Sequence, residues 1–183
     1  MRPLLLPLSP RSTMNCHSET DMIIQIDSRE KAHIIENIVR YFDDHGIKHY
    51  SSKLIVGDYM NIDNPKLIID RKHNLSELAN NLTNDSGRFM REVRLAKELG
   101  IHLIVLCEQG AWVKGIKDVA NWHNPMQGKI KFAISGKDLM ERIYKVHIAY
   151  GVDFLFCDKR ATGRRIAELL GGSNIVQQQC REN

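Results

Sequence analysis

The sequence predicts one α/β domain, a mixed β-sheet flanked by α-helices, and three observations carry that expectation. Apolar runs of strand length, such as Leu103 to Cys107 and Val152 to Cys157, alternate with stretches whose apolar residues recur at helical spacing. A turn sequence, Asp63-Asn64-Pro65, separates two further extended runs and predicts an antiparallel hairpin among otherwise crossover-linked strands. The chain has 183 residues, 43% of them hydrophobic, which suits a single core.

Taken in order, residues 1–21 hold Pro3, Pro7 and Pro10 and a polar run without periodicity, which reads as a disordered N-terminal tail. Met22 to Asp27 reads as a first strand. Ile34, Ile35, Ile38, Val39 and Phe42 then mark a helix that Gly46 stops. Ile47 to Leu54 reads as extended, and Tyr59 to Ile62 and Lys66 to Asp70 form the hairpin. Leu75, Leu78, Ala79 and Leu82 share one face of a helix, and Phe89, Val93, Ala96 and Leu99 share one face of the next, which ends at Gly100. Ile101 to Cys107 is a buried strand. Ser135 with Asp138 opens a helix closed by Gly151, Val152 to Cys157 is the last strand, and Thr162 to Leu170 is the last helix. The domain is therefore expected over 22–172, with 173–183 a flexible C-terminal tail. The segment from Glu108 to Ile134 lacks periodicity but is too long to be structureless, so local helices or a task are expected of it.

Composition excludes several classes. No apolar run approaches the roughly 20 residues that cross a bilayer. The N-terminal leucines imitate a signal peptide but are broken by prolines and lack a small-residue cleavage site, which predicts an intracellular, cytoplasmic protein. The four cysteines are far apart, which argues against a disulfide scaffold or zinc ribbon. The histidines show no metal-ligand spacing, and no glycine loop for an organic cofactor is present. A net charge of +4 is too small to identify a partner.

Chemistry concentrates at Asp70-Arg71-Lys72. Side chains alternate along a strand, so Asp70 and Lys72 are expected on one face and Arg71 on the other. If Asp58 faces the same way, two carboxylates and a lysine converge, a kit sufficient for metal-assisted phosphodiester hydrolysis. The competing reading is a solvated cross-strand ion pair of little worth. Context decides between them. Ile26-Asp27-Ser28-Arg29-Glu30, Val56-Gly57-Asp58-Tyr59, Ile69-Asp70-Arg71-Lys72, Asp85-Ser86-Gly87-Arg88-Phe89 and Leu106-Cys107-Glu108 follow one another at suitable spacing.

This set resembles the XPF-type nuclease domain, a branch of the PD-(D/E)XK superfamily with a restriction-endonuclease-like fold. The resemblance is strongest over Met22 to Glu108 and extends to Tyr150 to Leu170. It implies a Mg²⁺- or Mn²⁺-dependent DNA endonuclease, selective for branched or single-strand-containing DNA and serving repair or recombination. It implies Asp58 and Asp70 as metal ligands, Lys72 as the catalytic lysine, Asp27 in or beside the metal site, and Arg29, Glu30 and Arg71 in support. Two departures stand out: Asp70 replaces the usual Glu, which brings a metal closer to the strand, and Arg91 stands near a common Gln. The residues after Gly172 are too few for helix-hairpin-helix modules, so a stand-alone member is expected. Family domains commonly pair, so a homodimer is an expected partner alongside DNA.

Other residues keep two readings each. Asp27 could cap the following helix, Glu77 could support the site or be an exposed helical acid, and Glu108 could meet the metal or simply end a strand. Arg88 and Arg91, with Arg94, form a basic edge expected to contact nucleic acid, although Glu92 and Glu98 interleave as on an ordinary solvated face. Trp112, Trp122 and neighbouring lysines read as base-stacking or packing residues. Lys159, Arg160, Arg164 and Arg165 form a further basic cluster. The rival to an enzyme is a catalytically weak or inactive binding and dimerisation module that keeps the fold.

Overall fold

The computed structural model describes residues 22–83, 86–131 and 133–171. Six strands form one mixed sheet in the order β2-β1-β3-β4-β5-β6. In chain order, β1 (Ile23–Asp27) leads through α1 (Ala32–Asp44) to β2 (Lys48–Ser52), its parallel neighbour. β3 (Tyr59–Asn61) and β4 (Asn64–Lys72) are the expected hairpin, antiparallel to each other, and β3 is antiparallel to β1. α2 (Leu75–Leu82) and α3 (Ser86–Glu98) lead to β5 (His102–Glu108), and α4 (Gly136–Tyr150) leads to β6 (Asp153–Cys157). β4, β5 and β6 are parallel, and α5 (Thr162–Leu170) closes the chain of elements.

The sheet separates two cores. Ile24, Ile26, Ile69, Ile104 and Leu106 face α1 and α5, while Ile68, Leu103, Val105 and Cys107 face α2, α3 and α4. Alternation along β4 and β5 makes this split, and such runs buried on both faces are what parallel strands require. α1 and α5 approach closely at Gly163, where a Cβ would lie 2.7 Å from that of Tyr41. Cys107 and Cys157 are free and buried, and burial raises the pKa of both thiols. No helix among the described residues is long and apolar enough to cross a membrane.

Helix ends follow their local chemistry. Asn74 Oδ1 accepts from the Glu77 amide at 2.9 Å, Ser135 Oγ accepts from the Asp138 amide at 3.1 Å, and Gly151 ends α4 at φ 70°. α1 differs from one expectation, because Lys31, not Asp27, precedes it and gives no side-chain cap. The segment after Glu108 is held down at several points. Gln109 Oε1 accepts from the Leu75 amide, Ile116–Asn121 forms a short 3₁₀ turn, and Asn124 donates to the Ile134 carbonyl. Gly136 lets this segment reach α4, since a Cβ there would lie 2.5 Å from the Trp122 carbonyl oxygen. The two expected tails, with Gly172 and Asp85, lie outside the described residues.

His102 Nε2 lies 2.7 Å from Asp153 Oδ2 across β5 and β6, a hydrogen bond that raises the histidine pKa above 6.5. A raised folded pKa means this stabilisation is complete below the unfolded value and is lost as pH rises through the folded one. His102→Gln is therefore expected to lower the melting temperature more at about pH 5.5 than at about pH 9, and an equal drop at both would refute the pairing.

Candidate active site

Asp58 is placed by backbone alone. It sits just before β3 rather than in it, where its amide donates to the Ile69 carbonyl at 2.8 Å and its carbonyl accepts from the Asp27 amide at 2.8 Å. Gly57 makes this possible. Its φ is +64°, and a Cβ would lie 2.6 Å from Ile68 Cγ2 and 3.0 Å from the Ile69 oxygen, so only glycine fits. Asp58 Oδ2 then accepts from the Arg71 amide at 2.7 Å, which fixes the carboxylate against β4.

β4 distributes three charged residues as its pleat demands. Asp70 and Lys72 point toward α2 and α3, where Lys72 Nζ donates to Asp70 Oδ1 at 2.8 Å. The same ammonium is 2.7 Å from Asp70 Oδ2, so the lysine is held against both oxygens of this buried carboxylate. Phe89 covers the lysine, with Nζ 5.5 Å from its ring centroid. Arg71 leaves the strand on the other side and meets Glu30 at 2.8 Å, at the edge of a cleft, and Glu108 at 3.1 Å.

A cleft of about 200 Å³ opens on Asp58, Asp70 and Lys72, with Gly57 at its base and Asn81, Phe89 and Glu92 in its walls. Its electrostatics are strained in one direction. Burial raises the Asp58 pKa well above its ordinary value, and the charge of Asp70 adds to the effect while Lys72 opposes it. Burial works against the charge of Lys72, yet Asp70 and Asp58 outweigh it and hold its pKa above the ordinary value. Burial, then Asp70, also raises Glu92. Added positive charge in the cleft would relieve these acids.

The remaining residues take distinct positions. Asp27 lies beside the cleft but does not line it, and four donors fill its oxygens: the Arg29 amide, Nε and Nη2, and the Leu54 amide, at 2.7 to 2.9 Å. Although burial opposes it, Arg29 and Leu54 hold the Asp27 carboxyl below its ordinary pKa. With its lone pairs so engaged, Asp27 closes the turn between β1 and α1. Arg29 and Glu30 leave that turn to line the cleft. Arg88 lines it too, whereas Arg91 lies on the exposed side of α3 and outside it.

Glu77 lines the cleft and accepts from the His73 amide at 2.8 Å, so it supports the start of α2. Glu108 ends β5 on the opposite face with Arg71 and Thr162, away from the cleft. Trp112 is 48% exposed, and Trp122 is buried as a packing residue. The last basic cluster is largely neutralised locally, since Arg160 pairs with Asp158 and both Arg164 and Arg165 with Glu168.

Glu92 is the residue that the sequence pattern assigned elsewhere. Interleaving with arginines suggested a solvated face, but Glu92 follows Phe89 by three positions and so turns toward the same cleft. That spacing was the available signal.

Residues 26–169 match the ERCC4 domain. The chain belongs to the ERCC4 domain family. This match spans the cleft residues from Arg29 to Glu92 and bears out the resemblance drawn from the five motifs. The ERCC4 domain fold is shared with two solved structures. XPF from Aeropyrum pernix is 19% identical with a TM-score of 0.56, over 81% of this chain and 59% of that one. XPF from the same organism in complex with DNA is 17% identical with a TM-score of 0.55, over 86% of this chain and 66% of that one. This ERCC4 domain chain thus spans about three-fifths of the first structure's length. No curated protein resembles the chain closely enough to count as a match.

Proposed function

We propose that the chain is a divalent-metal-dependent DNA endonuclease that hydrolyses phosphodiester bonds at the cleft. The observation that carries this reading is the convergence of two carboxylates, Asp58 and Asp70, with the Lys72 ammonium in one cleft. The donor set fits a hard cation. Asp58 and Asp70 offer carboxylate oxygens, and among the described residues no three His, Cys, Asp or Glu side chains converge as a metal-ligating group. A cation held by one or two carboxylates keeps several waters, which is the habit of Mg²⁺ and is shared by Mn²⁺, and not the all-protein shell of structural zinc.

When bound, such a cation supplies a polarised phosphoryl oxygen and a water of lowered pKa. The chain's own residues do the rest. Asp58 and Asp70 fix the cation's place, the first through the Arg71 amide and the second through its strand. Lys72, covered by Phe89, holds positive charge beside the reacting phosphate and orients the attacking water. Arg88, at the cleft edge, receives a neighbouring phosphate of the strand, which makes binding salt-dependent.

Membership of the ERCC4 domain family and the DNA complex of the XPF relative support DNA as substrate. A preference for branched or single-strand-containing DNA and pairing of two copies extend the same reading. The test incubates the purified chain with labelled duplex, flap, fork and four-way-junction DNA, with and without Mg²⁺. Metal-dependent cuts support the reading, and DNA binding without cuts moves it to the binding-module rival.

A further inference from the structure

The metal-dependent reading leaves one acid of the cleft without a task. Glu92 shares the cleft with Asp58, Asp70 and Lys72, and its side chain is 30% exposed. Its ion pair with Arg29 is long, 3.9 Å, while Arg29 already grips Asp27 at 2.8 and 2.9 Å. Glu98, on the same helix, stays exposed, so α3 has a solvated face that Glu92 does not use. Instead a third carboxylate shares the cleft with Asp70, whose charge acts on it against those of Lys72, Arg29 and Arg88.

The other cleft acids are accounted for locally. Glu30 pairs with Arg71, and Glu77 accepts from the His73 amide. That leaves Asp58, Asp70 and Glu92 sharing the cleft with Lys72, which pairs with Asp70. Among the described residues no three acids converge as direct ligands. A role for Glu92 outside the direct ligands of a cation held by Asp58 and Asp70 is consistent with that.

We propose that Glu92 is a positioning residue, anchoring from α3 a water of the cation that Asp58 and Asp70 hold. The proposal rests on the metal-site reading above. Residues that orient a metal's outer shell typically change its affinity by about 10- to 100-fold when replaced.

The test is Mn²⁺ binding to the full chain, measured by calorimetry and by water-proton relaxation of the bound ion. Glu92→Gln is expected to weaken Mn²⁺ about tenfold and to alter the relaxation enhancement, whereas Glu92→Asp, which keeps the charge, stays within about threefold of wild type. Should Glu92→Gln lower the metal-free melting temperature, the relaxation enhancement of its bound Mn²⁺ carries the test, since lost fold stability alone does not change the hydration of the bound ion. Wild-type affinity in Glu92→Gln, or equal losses in both variants, overturns the proposal. Asp70→Asn separates the two levels: if it abolishes Mn²⁺ binding while Glu92→Gln does not weaken it, only the role of Glu92 falls. If Asp70→Asn binds Mn²⁺ like wild type, the metal site and the role of Glu92 fall together.

Discussion

Asp70→Asn is expected to slow DNA cleavage by at least about a hundredfold while the protein stays folded. The amide keeps the size of the side chain and an oxygen that can accept from Lys72, so the hydrogen bond at 2.8 Å survives in neutral form. What disappears is the charge. Lys72 is 7% exposed, and without that charge its burial pulls its pKa back down. On the metal-dependent reading proposed above, the cleft then loses both a cation ligand and part of the positive charge meant for the phosphate. Asp70→Ala is a poorer choice, because removing one partner of a buried pair costs about 3 to 5 kcal/mol and would confuse unfolding with lost chemistry. Cleavage by Asp70→Asn within about tenfold of wild type would overturn the site assignment. Mg²⁺ should also raise the melting temperature of wild type, because it binds the folded state alone, and should leave that of Asp70→Asn unchanged.

The largest stability effect is expected from Arg71→Met, about 3 to 5 kcal/mol in urea unfolding. The guanidinium is nearly enclosed, with side-chain exposure of 2%, and Glu108 is equally buried. Arg71 joins the end of β4 to Glu30 after β1 and to Glu108 at the end of β5, and its terminal nitrogens lie 3.2 and 3.3 Å from the ring of His73. Thr162 Oγ1 donates to the same Glu108 oxygen at 2.9 Å, which ties in α5. Methionine matches the stem but leaves two acids facing each other without a cation. Adding Glu108→Gln to Arg71→Met should recover part of the loss, and strictly additive effects would show that the two residues are not coupled.

These two neighbours on one strand show how far the sequence could be read. Apolar runs gave β1, β5 and β6, because strands buried on both faces need continuous Val, Ile and Leu. Asp63-Asn64-Pro65 gave the hairpin, and alternation predicted that Asp70 and Lys72 would part from Arg71. Sheet order was not legible, since nothing local in Lys48 to Ser52 says that β2 pairs with β1 at an edge. Whether Asp58 faces the same way as Asp70 was not legible, because it stands in the turn that Gly57 makes, a conformation set by a close approach to Ile68 and Ile69. Asp27 looked like a cap or a ligand until its four donors were visible, two of them from the Arg29 side chain and one from Leu54, 27 positions away. Glu92 was hidden because charge patterning on a helix does not reveal which neighbour it faces.

The irregularity in the hairpin has a consequence for how this chain can change over time. β3 and β4 are in regular register at Tyr59 with Ile69 and Met60 with Ile68, and the register shifts only between Met60 and Asn61, on the side toward the turn. A slip of one residue at the Ile69 end would exchange Asp70 and Arg71 between the two faces, placing a guanidinium where Lys72 already stands and a carboxylate against Glu30 and Glu108. The bulge absorbs length changes before they reach that point. Insertions and deletions around Asp63 can therefore accumulate among descendants of this sequence without displacing the chemistry, whereas the two residues between Gly57 and Met60 have almost no such latitude.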